Sequence, residues 1–255
     1  MMKKLLIIIY FVYIACGLQA QQYSGTTGLI HVPTAEMNQE GDARLGGHFL
    51  NKEMLPDYRV FRFNDRKFHT FTHYLSITPF SWMEIAYTCT LFKTKENGSD
   101  VGGYGSKDRY FSLKLQPLRE GKYWPAIAVG GNDFMDTRSN MKGEGGEIYF
   151  GNYYFAATKH VELKKTKIGV NVAYRHYLRS YNDRWAGIVG GITLRPTCYP
   201  NLRGIVEYNG EDINIGADCL LWRHLLMQVS LQGGKYISGG IAYQINLLGS
   251  KSTKK

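Results

Sequence analysis

The chain has 255 residues, 44% of them hydrophobic, with 29 Gly, 19 Tyr and a formal net charge of +10. A length of this order suits one large domain. The Lys and Arg residues are spread over turns and chain ends instead of one helix face. They read as a solvated basic surface or as an attraction to acidic glycans and lipid phosphates, and nucleic acid is excluded as a partner for an exported chain.

Export is indicated by the first twenty residues. Lys3 and Lys4 precede an apolar run from Leu5 to Ala15 and a small, polar end at Gly17 to Ala20, the pattern of a secretory signal peptide. The run falls short of the roughly 20 residues a membrane-spanning helix needs. Cleavage is expected after Ala20. Lipid attachment at Cys16 is the rival, although Tyr13 stands where a Leu is wanted. Cys89, Cys198 and Cys219 form no CxxC pair, so neither a disulfide framework nor a zinc site is indicated. Cys89 and Cys219 lie on apolar strand faces, where a cysteine packs as a small hydrophobe.

Residues 21–42 follow as an extended segment. Pro33 fixes its own φ, lacks an N–H and pushes Val32 toward an extended backbone, so Gly28-Leu29-Ile30-His31-Val32-Pro33-Thr34-Ala35, continuing to Gly41, is an apolar strap and not a helix. From Ala43 the sequence becomes short alternating segments separated by Gly, Asn, Asp, Lys and Pro clusters. Strands are expected at Ala43 to Leu50, Phe68 to Ile77, Trp82 to Phe92, Arg109 to Gln116, Pro125 to Asn132, Gly146 to Lys159, Lys167 to Leu178, Gly187 to Arg195, Leu202 to Tyr208, Ile213 to Leu221, Leu225 to Gln232 and Tyr236 to Leu247. In the clearest case Met83, Ile85, Tyr87, Cys89 and Leu91 share one face, and Glu84, Ala86, Thr88 and Thr90 the other.

The composition of the polar faces decides the architecture. They carry Gly, Ala, Ser, Thr, Asn and Gln with few charges, which suits a narrow lumen better than the wet side of a soluble sandwich. Apolar residues then face lipid, with aromatics at the two interfaces; Tyr153, Tyr154, Tyr177, Tyr181, Tyr208 and Tyr236 are expected to form such belts. The glycine pairs Gly190-Gly191 and Gly239-Gly240 relieve crowding where a small barrel curves. The fold class is therefore all-β: a single antiparallel transmembrane β-barrel of about twelve strands (roughly ten to fourteen). It spans residues 43–248, after the short N-terminal extended segment and before a basic tail at 249–255.

Gly28-Leu29-Ile30, Pro33-Thr34-Ala35 and Gly41 just before the first strand resemble the YjbH-like family of outer-membrane β-barrels linked to exopolysaccharide production. Val206-Glu207-Tyr208-Asn209-Gly210, followed by Asn214 and Gly216, is similar to paired strands near that family's C-terminus. Glu36 departs from the pattern, standing where a basic residue is expected, and the chain is short for the family. The resemblance implies an outer-membrane location and a non-enzymatic role in exopolysaccharide export or surface assembly. Expected partners are outer-membrane lipids, the exopolysaccharide itself and periplasmic export proteins. The alternatives are a structural barrel that scaffolds a partner and a small lipid-modifying enzyme.

Four charged residues are expected to point into the lumen: Glu84, Arg175, Glu207 and Asp218. Buried charges must pair or stay hydrated, so a structural cluster of Arg175 with carboxylates is one reading and a polar path or glycan contact the other. His69 and His73 stand about 13 Å apart on a strand and cannot share a metal. Ser76, Ser112 and Ser230 lack a local nucleophile motif. No catalytic residue, cofactor or metal is therefore expected. Asn97-Gly98-Ser99 is a formal glycosylation sequon that reads as a turn. The strap Gly28, Leu29, Ile30, Val32, Pro33, Thr34, Ala35 and Gly41 is the remaining candidate. It is expected either to enter the lumen as a plug or to lie across the periplasmic mouth.

Overall fold

The computed structural model describes residues 21–96, 99–134 and 148–249. The signal peptide, Cys16, Asn97-Gly98 and most of the basic tail lie outside them. Fourteen strands follow one another: β1 (Asp42–Leu50), β2 (Arg62–Phe63), β3 (Arg66–Lys67), β4 (Thr70–Phe80), β5 (Met83–Glu96), β6 (Ser99–Leu118), β7 (Ala126–Asn132), β8 (Asn152–Leu163), β9 (Thr166–Tyr177), β10 (Gly187–Pro196), β11 (Leu202–Tyr208), β12 (Ile213–Leu221), β13 (Leu225–Gln232) and β14 (Tyr236–Asn246). β2 and β3 form a two-stranded hairpin of their own, and the other twelve close into one barrel in sequence order, sealed by antiparallel pairing of β1 with β14. The expected strands are present. β5 and β6 run longer than the alternation indicates, and the strand expected from Gly146 begins at Asn152.

Alternation fixes which side of the wall each residue takes, and the burial is inverted relative to a soluble protein. On β5, Glu84, Ala86, Thr88 and Thr90 are fully buried inside while Tyr87 faces out. On β9, Asn171, Ala173 and Arg175 are buried and Val170, Val172 and Tyr174 are exposed. Leu45 (65% exposed) and Ile188 (72%) show the same outward apolar wall on β1 and β10. An apolar exterior around a polar interior is the arrangement of a barrel whose outer solvent is hydrocarbon.

The two ends differ. Where β1 begins, the strands are joined by residues 81–82, 119–125, 164–165, 197–201 and 222–224; at the other end the connections include 51–69, 133–151 and 178–186. Trp82, Trp124, Tyr199 and Trp222 are exposed at the short-turn end. At the long-loop end, Leu50, Leu55, Phe61, Phe92, Tyr110, Tyr149 and Phe150 pack into one buried aromatic cluster with Tyr23. Two tyrosines expected in the outer belts are inside instead: Tyr154 and Tyr177 are buried, whereas Tyr153, Tyr208 and Tyr236 are exposed. The reason is the two-residue side-chain period, since neighbours such as Tyr153 and Tyr154 cannot share a face.

Gly191 faces the lumen, and a Cβ there would stand 2.6 Å from Leu29 Cδ1 and 2.6 Å from the Val206 carbonyl oxygen. Gly191→Leu is therefore expected to destabilise the folded barrel by about 1–3 kcal/mol through overpacking, read as a lower urea midpoint for the loss of heat-resistant mobility on gels.

Candidate functional site

Residues 21–41 fill the lumen. The segment makes two turns: a bridge between Gln21 and Thr27 closes the first, and a bridge between Gly28 and Pro33 closes the second, whose tip is Leu29 to Val32 (Leu29 N–H to Val32 C=O, 2.9 Å). Leu29, Val32, Thr34 and Ala35 are completely buried, and Leu29, Ile30, Val32 and Ala35 share a core with the inward alanines Ala126, Ala128, Ala156 and Ala173. These small wall residues leave the space the strap occupies. Pro33 offers its carbonyl to Asn171 Nδ2 (2.9 Å) and has no donor of its own to satisfy. Gly41 turns the chain into β1 at φ +85°, a backbone that favours glycine, and its N–H reaches the Thr78 carbonyl.

The tip is held by an anion. The N–H groups of Ile30, His31 and Val32 all donate to the Glu207 carboxylate, at 2.9, 2.9 and 3.2 Å, and Asn214 Nδ2 adds a fourth bond at 2.8 Å. Successive N–H groups converging on one carboxylate form an anion-binding concavity, here with the wall supplying the anion and the strap the nest. On β9, one strand removed from Glu207's β11, Arg175 donates to the carbonyls of His31 (2.7 Å), Trp185 (2.9 and 3.1 Å) and Asn209 (3.0 Å). Gln232 bonds the His31 ring at 2.7 Å.

A second set grips the lower half. Glu84 accepts from the Thr27 N–H (3.0 Å), the Thr27 hydroxyl and Asn38 Nδ2 (2.6 Å). Lys114 reaches the Thr27 carbonyl (3.0 Å) and the Glu36 carbonyl, with Glu84 at 3.9 Å. Arg203 lies between two carboxylates, Glu36 at 3.1 Å and Asp218 at 3.0 Å, and donates to the Gly28 carbonyl at 3.3 Å. Thr158, Gln116 and Gln228 bind the strap backbone at Ala35 and Leu29. His160 links Glu36 (3.0 Å) to Glu120 (2.6 Å) in the 119–125 connection. Partial burial pushes the Glu120 carboxyl up, but the bonds from His160 and Lys159 outweigh it and hold it below the ordinary value.

Glu84, Arg175, Glu207 and Asp218 are all buried and all inward. The structure does not bring them into one cluster, and Arg175 is not the carboxylate partner that the sequence suggests. It binds carbonyls, while Asp218 pairs with Arg203 and Glu207 with backbone N–H groups. Sequence reasoning missed Arg203, Lys114 and Glu36. The alternation signal that selected Glu207 also places Arg203 on the inward face of β11, four residues earlier. Ser76 and Ser112 serve the strap, Ser76 Oγ accepting from Gln21 (2.7 Å) and Ser112 donating to the Ser24 carbonyl (3.3 Å). Among the described residues no set of three or more His, Cys, Asp or Glu side chains is placed to hold a metal ion.

A family model described as "Exopolysaccharide biosynthesis protein YbjH" matches residues 20–177, which takes in the strap and β1 to β9. The chain belongs to the YjbH family. The stretch Val206 to Gly216, expected from its sequence to resemble the family, lies beyond the matched residues. A curated relative, "Uncharacterized lipoprotein YjbH" of Escherichia coli strain K12, is 32% identical over 123 residues. That alignment covers 46% of this chain and 15% of the relative's length. Among solved structures, outer membrane phospholipase A of Escherichia coli aligns at 14% identity over 82% of this chain and 98% of its own, with a TM-score of 0.39. The Salmonella typhi outer membrane phospholipase dimer with bound calcium aligns at 13% identity over 81% and 91%, with a TM-score of 0.38. Likeness of that degree carries no argument about activity.

Two outcomes follow for this YjbH-family lumen. Arg203→Met removes the guanidinium that the buried Glu36 and Asp218 share and is expected to cost about 3–5 kcal/mol, measured by urea unfolding in detergent. Glu120 supports its contact with His160 fully above the ordinary carboxylate range and loses that support as pH falls through its lowered value. Glu120→Gln is therefore expected to flatten the acid limb of stability against pH, measured as the thermal midpoint across that range.

Proposed function

We propose that this YjbH-family chain is a non-catalytic outer-membrane barrel that assists exopolysaccharide surface assembly and is held closed by its own N-terminal strap. The observation that carries the closed state is the strap's occupancy of the lumen, gripped from opposite walls by Glu207, Arg175, Glu84, Lys114 and Arg203. The link to exopolysaccharide rests on the family's description. Export signals at the N-terminus and an apolar outer wall support the outer-membrane location, with the short-turn end, where β1 begins, facing the periplasm.

With the lumen filled, contacts to a sugar chain fall to the long-loop mouth. Tyr58 and Tyr181 stack there at 4.6 Å, partly exposed, with Arg59 over the Tyr58 ring and Arg62 paired to Asp57. Stacked aromatic faces beside cations offer apolar and charged contacts to a sugar chain. Passage through the barrel requires the strap to leave, so it acts as the gate of any export route. The relative's description as a lipoprotein keeps lipidation at Cys16 beside cleavage after Ala20.

Deleting Ser24 to Glu40 tests this reading. The expected result is a barrel that still shows heat-dependent mobility, conducts ions in planar bilayers where the full chain does not, and gives altered surface polysaccharide in cells. Unchanged conductance and polysaccharide return the strap to a linker. Altered lipid A acylation with normal polysaccharide in a strain lacking the protein favours a lipid-modifying enzyme. Solubility without detergent and no heat-dependent shift overturn the membrane location.

A further inference from the structure

The strap's Glu36 occupies a carboxylate seat that the wall provides. Arg203 Nη1 donates to its Oε2 at 3.1 Å and His160 Nε2 faces its Oε1 at 3.0 Å, so β11 and β8 each hold one oxygen of the same group. Both ring nitrogens of His160 face carboxylates, Nδ1 reaching Glu120 at 2.6 Å, and only the imidazolium donates from both. Arg203 is 1% exposed, and Asp218 fixes its Nε at 3.0 Å while Nη1 is aimed at the seat. Charge-assisted bonds of this kind are short and strong.

The acids around the seat do not cancel its charge. Asp218 holds Arg203, Glu84 stands 3.9 Å from Lys114, Glu120 takes His160 and Lys159, and Glu162 is in register with Lys167. Arg195 also acts electrostatically on Glu36. Among the described residues these six cations face four acids besides Glu36. The two nearest turns, 119–125 and 164–165, add Arg119, Lys122, Lys164 and Lys165 with no acid beyond Glu120. A seat vacated by Glu36 therefore keeps an excess of positive charge, focused by the walls of the lumen.

The place of the seat decides what reaches it. Arg203 is one residue from the short-turn end of β11, and His160 is three from that of β8. At about 3.3 Å per residue and a strand tilt of roughly 40°, the seat lies within about 8 Å of that mouth. Beside it the wall presents uncharged groups, Gln116, Thr158 and Asn171, which bond the backbone of Ala35 and Pro33. Amides and hydroxyls exchange a peptide partner for a sugar hydroxyl with no change of charge.

We propose that Arg203 and His160 form a binding seat for the carboxylate of a uronate-bearing polysaccharide, and that Glu36 is its built-in competitor. The inference rests on the exopolysaccharide reading above and adds the class of sugar and the point at which it displaces the strap. A polymer carrying many carboxylates offers them at the mouth at a high effective concentration, against one carboxylate on the strap.

The test measures binding of fluorescent oligogalacturonate to the full chain in detergent micelles, beside a neutral maltooligosaccharide of equal length, with heat-dependent mobility confirming that each variant is folded. Glu36→Gln removes the competitor at nearly constant shape. It is expected to tighten oligogalacturonate binding about tenfold, the worth of one charge-assisted bond, with no gain for the neutral sugar. Glu36→Gln combined with His160→Gln is expected to lose the gain. Gln116→Ala loosens the same half of the strap with every charge in place and is expected to give no comparable gain. On the unaltered chain, saturating oligogalacturonate is expected to speed amide exchange from Thr34 to Asn38, and the neutral sugar is not. Equal affinity of the unaltered and Glu36→Gln chains, an equal gain for the neutral sugar, a gain of the same size from Gln116→Ala, or equal exchange with both sugars overturns the proposal. Tighter binding of polyglutamate than of oligogalacturonate overturns it in favour of an acidic protein partner. A strap-deleted barrel that conducts ions, beside a Glu36→Gln chain that gains no affinity, overturns this inference alone. A deletion that leaves conductance and surface polysaccharide unchanged overturns the reading beneath it.

Discussion

Closing twelve strands around a narrow lumen puts charged and amide side chains face to face in a confined space, and each needs a partner there. The strap answers that need with its backbone. Its carbonyls take the donors of Arg175, Lys114, Arg203, Asn171 and Gln228, and its N–H groups take the carboxylates of Glu207 and Glu84. The exchange is mutual: without the wall the strap's amides lose these partners, and without the strap the wall's charges keep only the bonds they make to one another, such as Arg203 to Asp218. Plug and barrel wall are one hydrogen-bonding system, which is why the wall departs from the simpler choice of small neutral residues at these positions.

The grip has a direction. At the long-loop end the strap's Tyr23 joins an aromatic cluster built from β1, β5, β6 and the 51–61 and 148–150 connections, and His31 lies against Tyr23 and Trp185. At the short-turn end the contacts are ionic and run from Arg203 through Glu36 and His160 to Glu120. One end of the strap is held by apolar packing under the loops. The other is held by charges that continue into a connection on the mouth.

The barrel was largely legible from the residues because a period of two is a local signal: Met83 to Leu91 or Ile168 to Arg175 states both the strand and its two faces. The strap's course was not, and the reason is physical. Its partners are backbone atoms, which every residue type carries, so nothing in Ile30-His31-Val32 announces that three N–H groups converge on Glu207. Glu36 illustrates the same limit from the other side. The residue departs from the expected basic type, yet it is buried against Arg203 and His160, an arrangement visible only once β8 and β11 both meet the strap. Arg175 was placed correctly on the inward face, but a guanidinium satisfied by carbonyls reads in sequence like one awaiting a carboxylate.

The bond from Ile30 to Glu207 joins residues 177 positions apart, and β1 begins one residue after Gly41. The anchor for the strap is therefore made on β11, the fourth strand from the end of the barrel sequence. Contacts of such sequence separation form slowly, since the loop they close must be ordered before they reward it. Seating of the strap and sealing of the β1–β14 seam thus belong to the same late stage of folding. Until then the wall's charges have only one another, and the strap's bonds are added as the barrel closes.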